Sequence, residues 1–152
     1  MRITPIAVAD TRPLRQAVLR PHETLEYLAE HELPDAFAVG AFDDDDRLVG
    51  VGFISPDGKP GDWRVRGMAT EPALRGRGAG TSVLAALVDH ARACGASRVW
   101  CNARIAARTF YERAGFRVVS AEFDVPEIGP HYVMEIRLRR SAPQAGSRRP
   151  KR

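Results

Sequence analysis

The feature that most constrains the fold of this chain is a glycine-rich segment, residues 75–80, which joins a predicted strand to a predicted helix. Before it, residues 63–69 alternate apolar and charged side chains, a pattern typical of a strand with one covered face. After it, apolar residues recur at helical spacing up to Gly95, where a helix C-cap is expected: Val83, Leu84, Leu87, Val88, Ala91 and Cys94. Backbone N–H groups and the positive helix end would then converge on one point, so the segment predicts an anion site.

Two arginines within this segment indicate the kind of anion. Guanidinium groups match phosphate oxygens, so Arg75 and Arg77 favour a di- or polyphosphate over a carboxylate. A P-loop would need Gly-Lys-Ser/Thr, and the dinucleotide fingerprint GxGxxG would need a glycine at the position of Thr81. Both patterns fail here. A glycine-rich connection whose arginines face water is the structural alternative.

The rest of the chain predicts a mixed sheet covered by helices, an α/β domain over residues 1–140. Hydrophobic spacing predicts helices at residues 11–20, 22–33 and 104–114. Further β-prone runs predict strands at residues 36–42, 47–54, 98–101, 116–123 and 131–138. The four consecutive aspartates at 43–46 fit a solvated hairpin turn, because ligands of a metal must converge on one point; we expect no metal site.

A second pattern lies near residue 110. Ala103, Ala107 and Tyr111 fall at positions i, i+4 and i+8, so small side chains would clear a stripe beneath one phenol. A thin ligand arm could lie along that stripe. Phe110, Gly115 and Phe116 fit ordinary core and helix-cap roles.

Together, the two patterns resemble the GNAT acetyltransferases. The spacing Arg75-x-x-Gly78-x-Gly80 is similar to the family signature for the pyrophosphate of coenzyme A, and residues 103–116 are similar to its second half-site. The resemblance implies a single-domain, mostly antiparallel sheet with helices on both faces. It also implies acetyl-CoA as co-substrate and these contacts with it: Met68, Ala69, Thr70, Arg75, Gly76, Arg77, Gly78, Ala79, Gly80, Arg104, Ala107 and Tyr111. One departure is Arg104, which stands where the family often has asparagine.

The same resemblance implies direct transfer of an acetyl group to an amine, with no covalent enzyme intermediate. A backbone N–H of Met68 or Ala69 would polarise the thioester, and Tyr111 would assist the departing thiolate. We name Glu127 and His131 as residues that contact the acceptor. The general base stays open among these two residues and Glu71, Glu122 and Asp124. A catalytically silent acyl-CoA-binding module is the alternative function.

Charge and cysteine content limit the partners. Six of the 23 basic residues lie in the last 14 positions, and the rest of the chain, with 17 basic and 19 acidic residues, carries about −2. We therefore expect no nucleic-acid partner, and residues 141–152 are predicted to form a disordered basic tail. Cys94 and Cys101 form no CxxC pair and are expected to be buried thiols in a reducing, cytoplasmic compartment. No apolar run reaches the roughly 20 residues of a membrane span. The family resemblance implies a small-molecule or peptide amine as acceptor, and a homodimer is left open.

Overall fold

A computed structural model describes residues 1–33 and 35–139. The predicted tail, residues 141–152, lies outside these residues, so its disorder and the domain limit at residue 140 stay predictions. No helix in the described part of the chain has both the length and the apolar character needed to cross a bilayer.

The described residues form eight strands and four helices. The strands are β1 (Arg2–Ile6), β2 (Phe37–Phe42), β3 (Leu48–Pro56), β4 (Asp62–Thr70), β5 (Arg98–Arg104), β6 (Arg117–Val118), β7 (Phe123–Val125) and β8 (Gly129–Arg137). The helices are α1 (Arg12–Leu19), α2 (Leu25–Glu30), α3 (Ala79–Ala93) and α4 (Arg108–Arg113). Short 3-10 turns at Val8–Thr11, Pro72–Leu74 and Ile105–Ala107 precede α1, the glycine-rich segment and α4.

All eight strands belong to one sheet in the order β1-β2-β3-β4-β5-β8-β6, and β7 pairs with β8. The β4–β5 pair is parallel and the other pairs are antiparallel. This mixed, mostly antiparallel sheet confirms the predicted fold class.

Helices cover both faces of the sheet, as β3 demonstrates. A Cβ placed on Gly52 would lie 3.1 Å from Leu87 of α3, so α3 packs closely over this face of the strand. The adjacent Val51 is buried in a separate cluster with Leu14 of α1. Successive side chains of a strand point to opposite faces, so α3 and α1 lie on opposite sides of the sheet.

Three differences from the predicted elements have local causes. β1 was not predicted because Pro5 interrupts its pattern, but the strand lies at the sheet edge, where proline is tolerated. The single strand predicted at 116–123 is wrong: the chain leaves the ladder at Ser120, whose Oγ accepts the hydrogen bond of the Val133 N–H at 2.8 Å. The helix predicted from residue 104 begins later, because Arg104 still pairs with His131 in the sheet.

Candidate active site

The parallel strands β4 and β5 separate part-way along their length. Their pairing covers Asp62–Arg64 and Arg98–Trp100, while β4 continues to Thr70 and β5 to Arg104. Backbone groups on the two facing edges are therefore left without a strand partner. An extended ligand that carries amide groups can bind such an edge as an added strand does.

A β-bulge lies on the β4 side of this opening. Val51 pairs with Ala69 and Phe53 pairs with Arg66, so β4 has one more residue than β3 between these two pairs. Gly67, in the bulge, has φ of +66°, a conformation that favours glycine. A bulge re-aims backbone groups out of the ladder. It occurs directly before Met68 and Ala69, the two residues whose N–H groups were predicted to polarise the thioester.

Beyond the end of β4, the glycine-rich segment leads into the N-terminus of α3. Gly76 and Gly78 have φ of +84° and +89°, and a Cβ at either position would meet no atom within 4 Å. The space beside both glycines is open. Gly78 caps α3 without a side-chain hydrogen bond. The first bond of this helix runs from Ser82 N–H to Gly78 C=O at 3.0 Å, so the N–H groups just before Ser82 are not used within the helix and point out of its end.

Charge at this helix end matches the prediction of an anion site. Arg75 and Arg77 are exposed and form no ion pair within the described ranges. Two free guanidinium groups and the positive end of a 15-residue helix together attract negative charge. Gly80 is also required for packing, because a Cβ there would lie 3.2 Å from the Phe110 ring and 3.3 Å from the Thr70 hydroxyl.

Tyr111 projects from α4 toward the opening between the strands. The residue is buried, with 6% of its surface exposed, and its ring packs against Phe110 and Phe116 at centroid distances of 5.1 and 5.4 Å. Burial, and secondarily the neighbouring Cys101 thiol, raises the pKa of the Tyr111 phenol well above 10. The phenol therefore stays protonated at neutral pH and can donate a hydrogen bond or a proton.

The two cysteines differ from each other. Burial raises the pKa of the Cys101 thiol to about 12, which makes it a poor nucleophile near neutral pH. Cys94 is exposed, so the expectation that both thiols are buried was wrong for this residue. It follows the last turn of α3, at the C-cap, where it faces solvent instead of the sheet, and its Sγ lies 3.6 Å from His90 Nε2.

A cavity of about 470 Å³ lies at the same opening. Its walls come from α1, α2 and the residues after them, from β4 and β5, and from the β7–β8 turn. Met68, Arg104, Ala107, Tyr111 and His131, all predicted site residues, line it. The glycine-rich segment does not line this cavity, so the cavity and the segment are two separate regions of the structure.

His131 has a defined orientation in the cavity. It is buried, and its Nδ1 lies 2.8 Å from the Gly129 carbonyl oxygen, an acceptor that requires a proton on Nδ1. In the neutral ring the lone pair then resides on Nε2, which suits a proton acceptor. Glu127 lies elsewhere: it occupies the exposed β7–β8 turn with φ of +68° and does not line the cavity.

Arg104 reaches toward α1. Its guanidinium donates to the Leu19 carbonyl at 2.7 Å and lines the cavity, whereas the predicted contact was with the cofactor. Sequence reasoning did not identify five other charged cavity residues: Arg15, Arg20, Glu23, Arg64 and Arg66. Single arginines and glutamates in amphipathic helices and alternating strands carry no signal that separates them from solvated ones.

A model of the Acetyltransferase (GNAT) family matches residues 6–116, nearly three-quarters of the chain. The chain belongs to this family. An N-acetyltransferase of Bacillus subtilis strain 168, YitI, whose own function is uncharacterised, is 33% identical over 149 residues, which cover 93% of this chain and 99% of the relative. Family and enzyme class, N-acetyltransferase, are thereby confirmed.

Two solved structures illustrate the likeness of the fold. An aminoglycoside 6'-N-acetyltransferase complexed with coenzyme A has a TM-score of 0.75 at 18% identity, over 90% of this chain and 97% of that one. The ribosomal-protein-S18-alanine N-acetyltransferase of Escherichia coli has a TM-score of 0.72 at 15% identity, over 90% and 92%. The two enzymes are named for unlike acceptors, so the shared fold leaves the acceptor of this chain open.

Proposed function

We propose that this protein transfers an acetyl group from acetyl-CoA to an amine by direct attack within a ternary complex. The observation that carries the proposal is the order of two parts along β4: an opening between β4 and β5, and a glycine-rich helix end that follows the end of β4. The first accepts an extended chain with amide groups, and the second accepts a pyrophosphate. Acetyl-CoA contains both.

The predicted cofactor residues fit this ligand in position and chemistry. Gly76 and Gly78 leave open space for a pyrophosphate, and Arg75 and Arg77 supply its counter-charges. Thr70 and Ala79 flank the turn, with Ala79 buried at the first position of α3. Met68, Ala107 and Tyr111 line the cavity where the acyl end would lie.

Three groups at the cavity have different roles in the proposed reaction. His131 Nε2 accepts the proton that the attacking amine loses, and the bulged β4 backbone at Met68 donates to the thioester oxygen. As the N–C bond forms and the C–S bond breaks, the Tyr111 hydroxyl donates its proton to the departing sulfur. Alignment of the two reactants in one cavity supplies the remaining rate enhancement.

The glycine-rich segment provides a matched pair of variants. Gly78 and Gly95 both have φ of +89° and open space around a Cβ, but they flank opposite ends of α3. An aspartate at either position brings comparable backbone strain, of about 1–3 kcal/mol. Only Gly78→Asp adds a negative charge where the pyrophosphate would bind.

We expect acetyl-CoA at 100 times its dissociation constant to stabilise the wild type by about 2.7 kcal/mol, whereas NAD and ATP have little effect. Gly78→Asp should abolish this thermal shift and Gly95→Asp should retain it. Tight acetyl-CoA binding by Gly78→Asp would refute the assignment of the segment. A panel of amines assayed for CoA release then tests turnover, and binding without turnover for any amine would favour the silent acyl-CoA-binding alternative. We place the activity in the cytoplasm, in line with two free cysteines.

A further inference from the structure

The cavity beside the predicted thioester position is strongly basic. Five arginines line it: Arg15, Arg20, Arg64, Arg66 and Arg104. Among the described residues, three carboxylates form ion pairs with these arginines: Glu23 with Arg20, Glu32 with Arg15, and Asp57 with Arg64 and Arg66. Glu32 also pairs with Arg12, a sixth arginine, which lies outside the cavity lining. Six guanidinium groups and three carboxylates leave a local excess of about +3.

Arg104 accounts for one of these three charges and is the cavity arginine that has no carboxylate partner among the described residues. It is partly buried, and the Leu19 carbonyl is its hydrogen-bond partner; no carboxylate in residues 1–33 or 35–139 pairs with it. Burial and then the charge of Arg20 lower the pKa of Arg104. A partly desolvated cation without an anion is costly, and a bound anion would remove that cost.

Arg64, on β4, also lines the cavity and has an unused donor. Its guanidinium lies over the Trp100 ring at 4.9 Å and reaches Asp57 only at 3.6 Å. Its Nε is buried and has no hydrogen-bond partner in the described part of the chain. Unsatisfied buried donors are rare in folded proteins, so this atom requires a partner from outside the described chain, either a water or a ligand oxygen.

We propose that the acceptor amine carries an anionic group, a carboxylate or a phosphate, which Arg104 binds with support from the other cavity arginines. This inference rests on the proposed acetyltransferase function. It assigns Arg104 to the acceptor instead of the cofactor, and it names the acceptor as a zwitterionic or acidic amine.

The same charge explains which amines are rejected and how the accepted one loses its proton. A simple ammonium or a polyamine enters a field of like charge and gains no compensating contact. An amine with an attached anion neutralises part of the field. The remaining positive charge favours the neutral form of its amino group, the form that attacks a thioester.

Matched substrate pairs test the inference. We expect amino acids to exceed their own carboxamides, or phosphoethanolamine to exceed ethanolamine, by at least about tenfold in kcat/KM with acetyl-CoA. The first pair reports a carboxylate and the second a phosphate. Equal or greater rates with the carboxamides and with ethanolamine, which lack the anionic group, would overturn the inference.

Variants locate the effect. Arg104→Gln should remove the preference through a rise of about 10- to 100-fold in KM for the anionic amine, and Arg104→Lys should restore part of it. The control is Arg92→Gln, an exposed arginine of α3 that pairs with Asp89 outside the cavity, and it should keep the preference. If Arg104→Gln instead abolishes the acetyl-CoA thermal shift, Arg104 serves the cofactor and the inference is wrong.

A binding readout covers the case in which the panel lacks the natural amine. Millimolar succinate or inorganic phosphate should raise the melting temperature of the acetyl-CoA complex of wild type but not of Arg104→Gln. Absence of this stabilisation together with absence of any substrate preference overturns the inference while acetyl-CoA still binds. Failure of acetyl-CoA itself to bind is a different result, which refutes the proposed function.

Discussion

Replacement of Tyr111 by phenylalanine tests the chemical role of a single oxygen atom. The ring packs between Phe110 and Phe116, so Tyr111→Phe keeps the packing and removes only the hydroxyl. The hydroxyl has a weak partner, the Cys101 thiol, and its loss should change the free energy of unfolding by no more than about 1 kcal/mol. A loss of activity would therefore report chemistry and not unfolding.

The expected effect of Tyr111→Phe on kcat is a fall of about 10²- to 10⁴-fold, the usual contribution of a positioned general acid, with little change in acetyl-CoA affinity. Because burial, and then Cys101, raises the Tyr111 pKa well above 10, the phenol is protonated across an assay range of roughly pH 7 to 9.5. The deficit should narrow toward alkaline pH, since the CoA thiolate needs less proton assistance above the pKa of its own thiol.

The assay is kcat from neutral to alkaline pH for wild type, Tyr111→Phe and Tyr132→Phe, with folding checked by circular dichroism. Tyr132 is a matched control, because it lies on β8, contacts Arg108 and does not line the cavity. A Tyr111→Phe enzyme within threefold of wild type at every pH would reduce Tyr111 to a core aromatic residue.

Three further outcomes follow from particular contacts. His131→Ala should lower kcat by about 10²- to 10⁴-fold near neutral pH with acetyl-CoA binding retained, measured by steady-state kinetics and thermal shift. Leu87→Ala should lower the free energy of unfolding by about 2–5 kcal/mol in urea, because Leu87 is fully buried between α3 and β3. Burial opposes ionisation of Glu135, but hydrogen bonds from Arg98, Arg137 and Arg117 outweigh it and lower the pKa of Glu135 from 4.5 to about 2. This stabilisation is present above about pH 4.5 and is lost as pH falls toward 2, so Glu135→Gln should cost about 2–3 kcal/mol at pH 7 and much less at pH 2.5.

The glycine-rich turn before α3 was predictable from sequence because its determinants are local. Gly78 supplies a left-handed residue at the N-cap of α3, and hydrophobic spacing identified the helix behind it. Strands β2, β3, β4 and β8 were predictable for the same reason, since alternation and continuous apolar runs act over a few residues. In each of these elements, the local sequence preference matches the secondary structure that the chain forms.

Other features depend on partners far away in sequence. The end of β6 depends on a hydrogen bond from the Val133 N–H to the Ser120 hydroxyl. Strand β1 forms because it pairs with the free edge of β2. The orientation of His131 depends on the Gly129 carbonyl and on the turn that positions it. Neither strand alone contains a sequence pattern that predicts where β4 separates from β5, beyond Arg64.

The charge of the whole chain also says little about the charge of its cavity. Sequence composition gave the folded body about −2, which led to an expectation of no anionic macromolecular partner. Folding nevertheless brings Arg15 of α1, Arg64 of β4 and Arg104 of β5 to the walls of one space, although they are separated by up to 89 positions. Low-dielectric walls concentrate the field of these three groups, while exposed acids elsewhere are screened within about 10 Å at ordinary salt. A folded body with a charge of about −2 can therefore still present a basic cavity to a small anion, because the local excess of guanidinium groups sets the charge of that cavity.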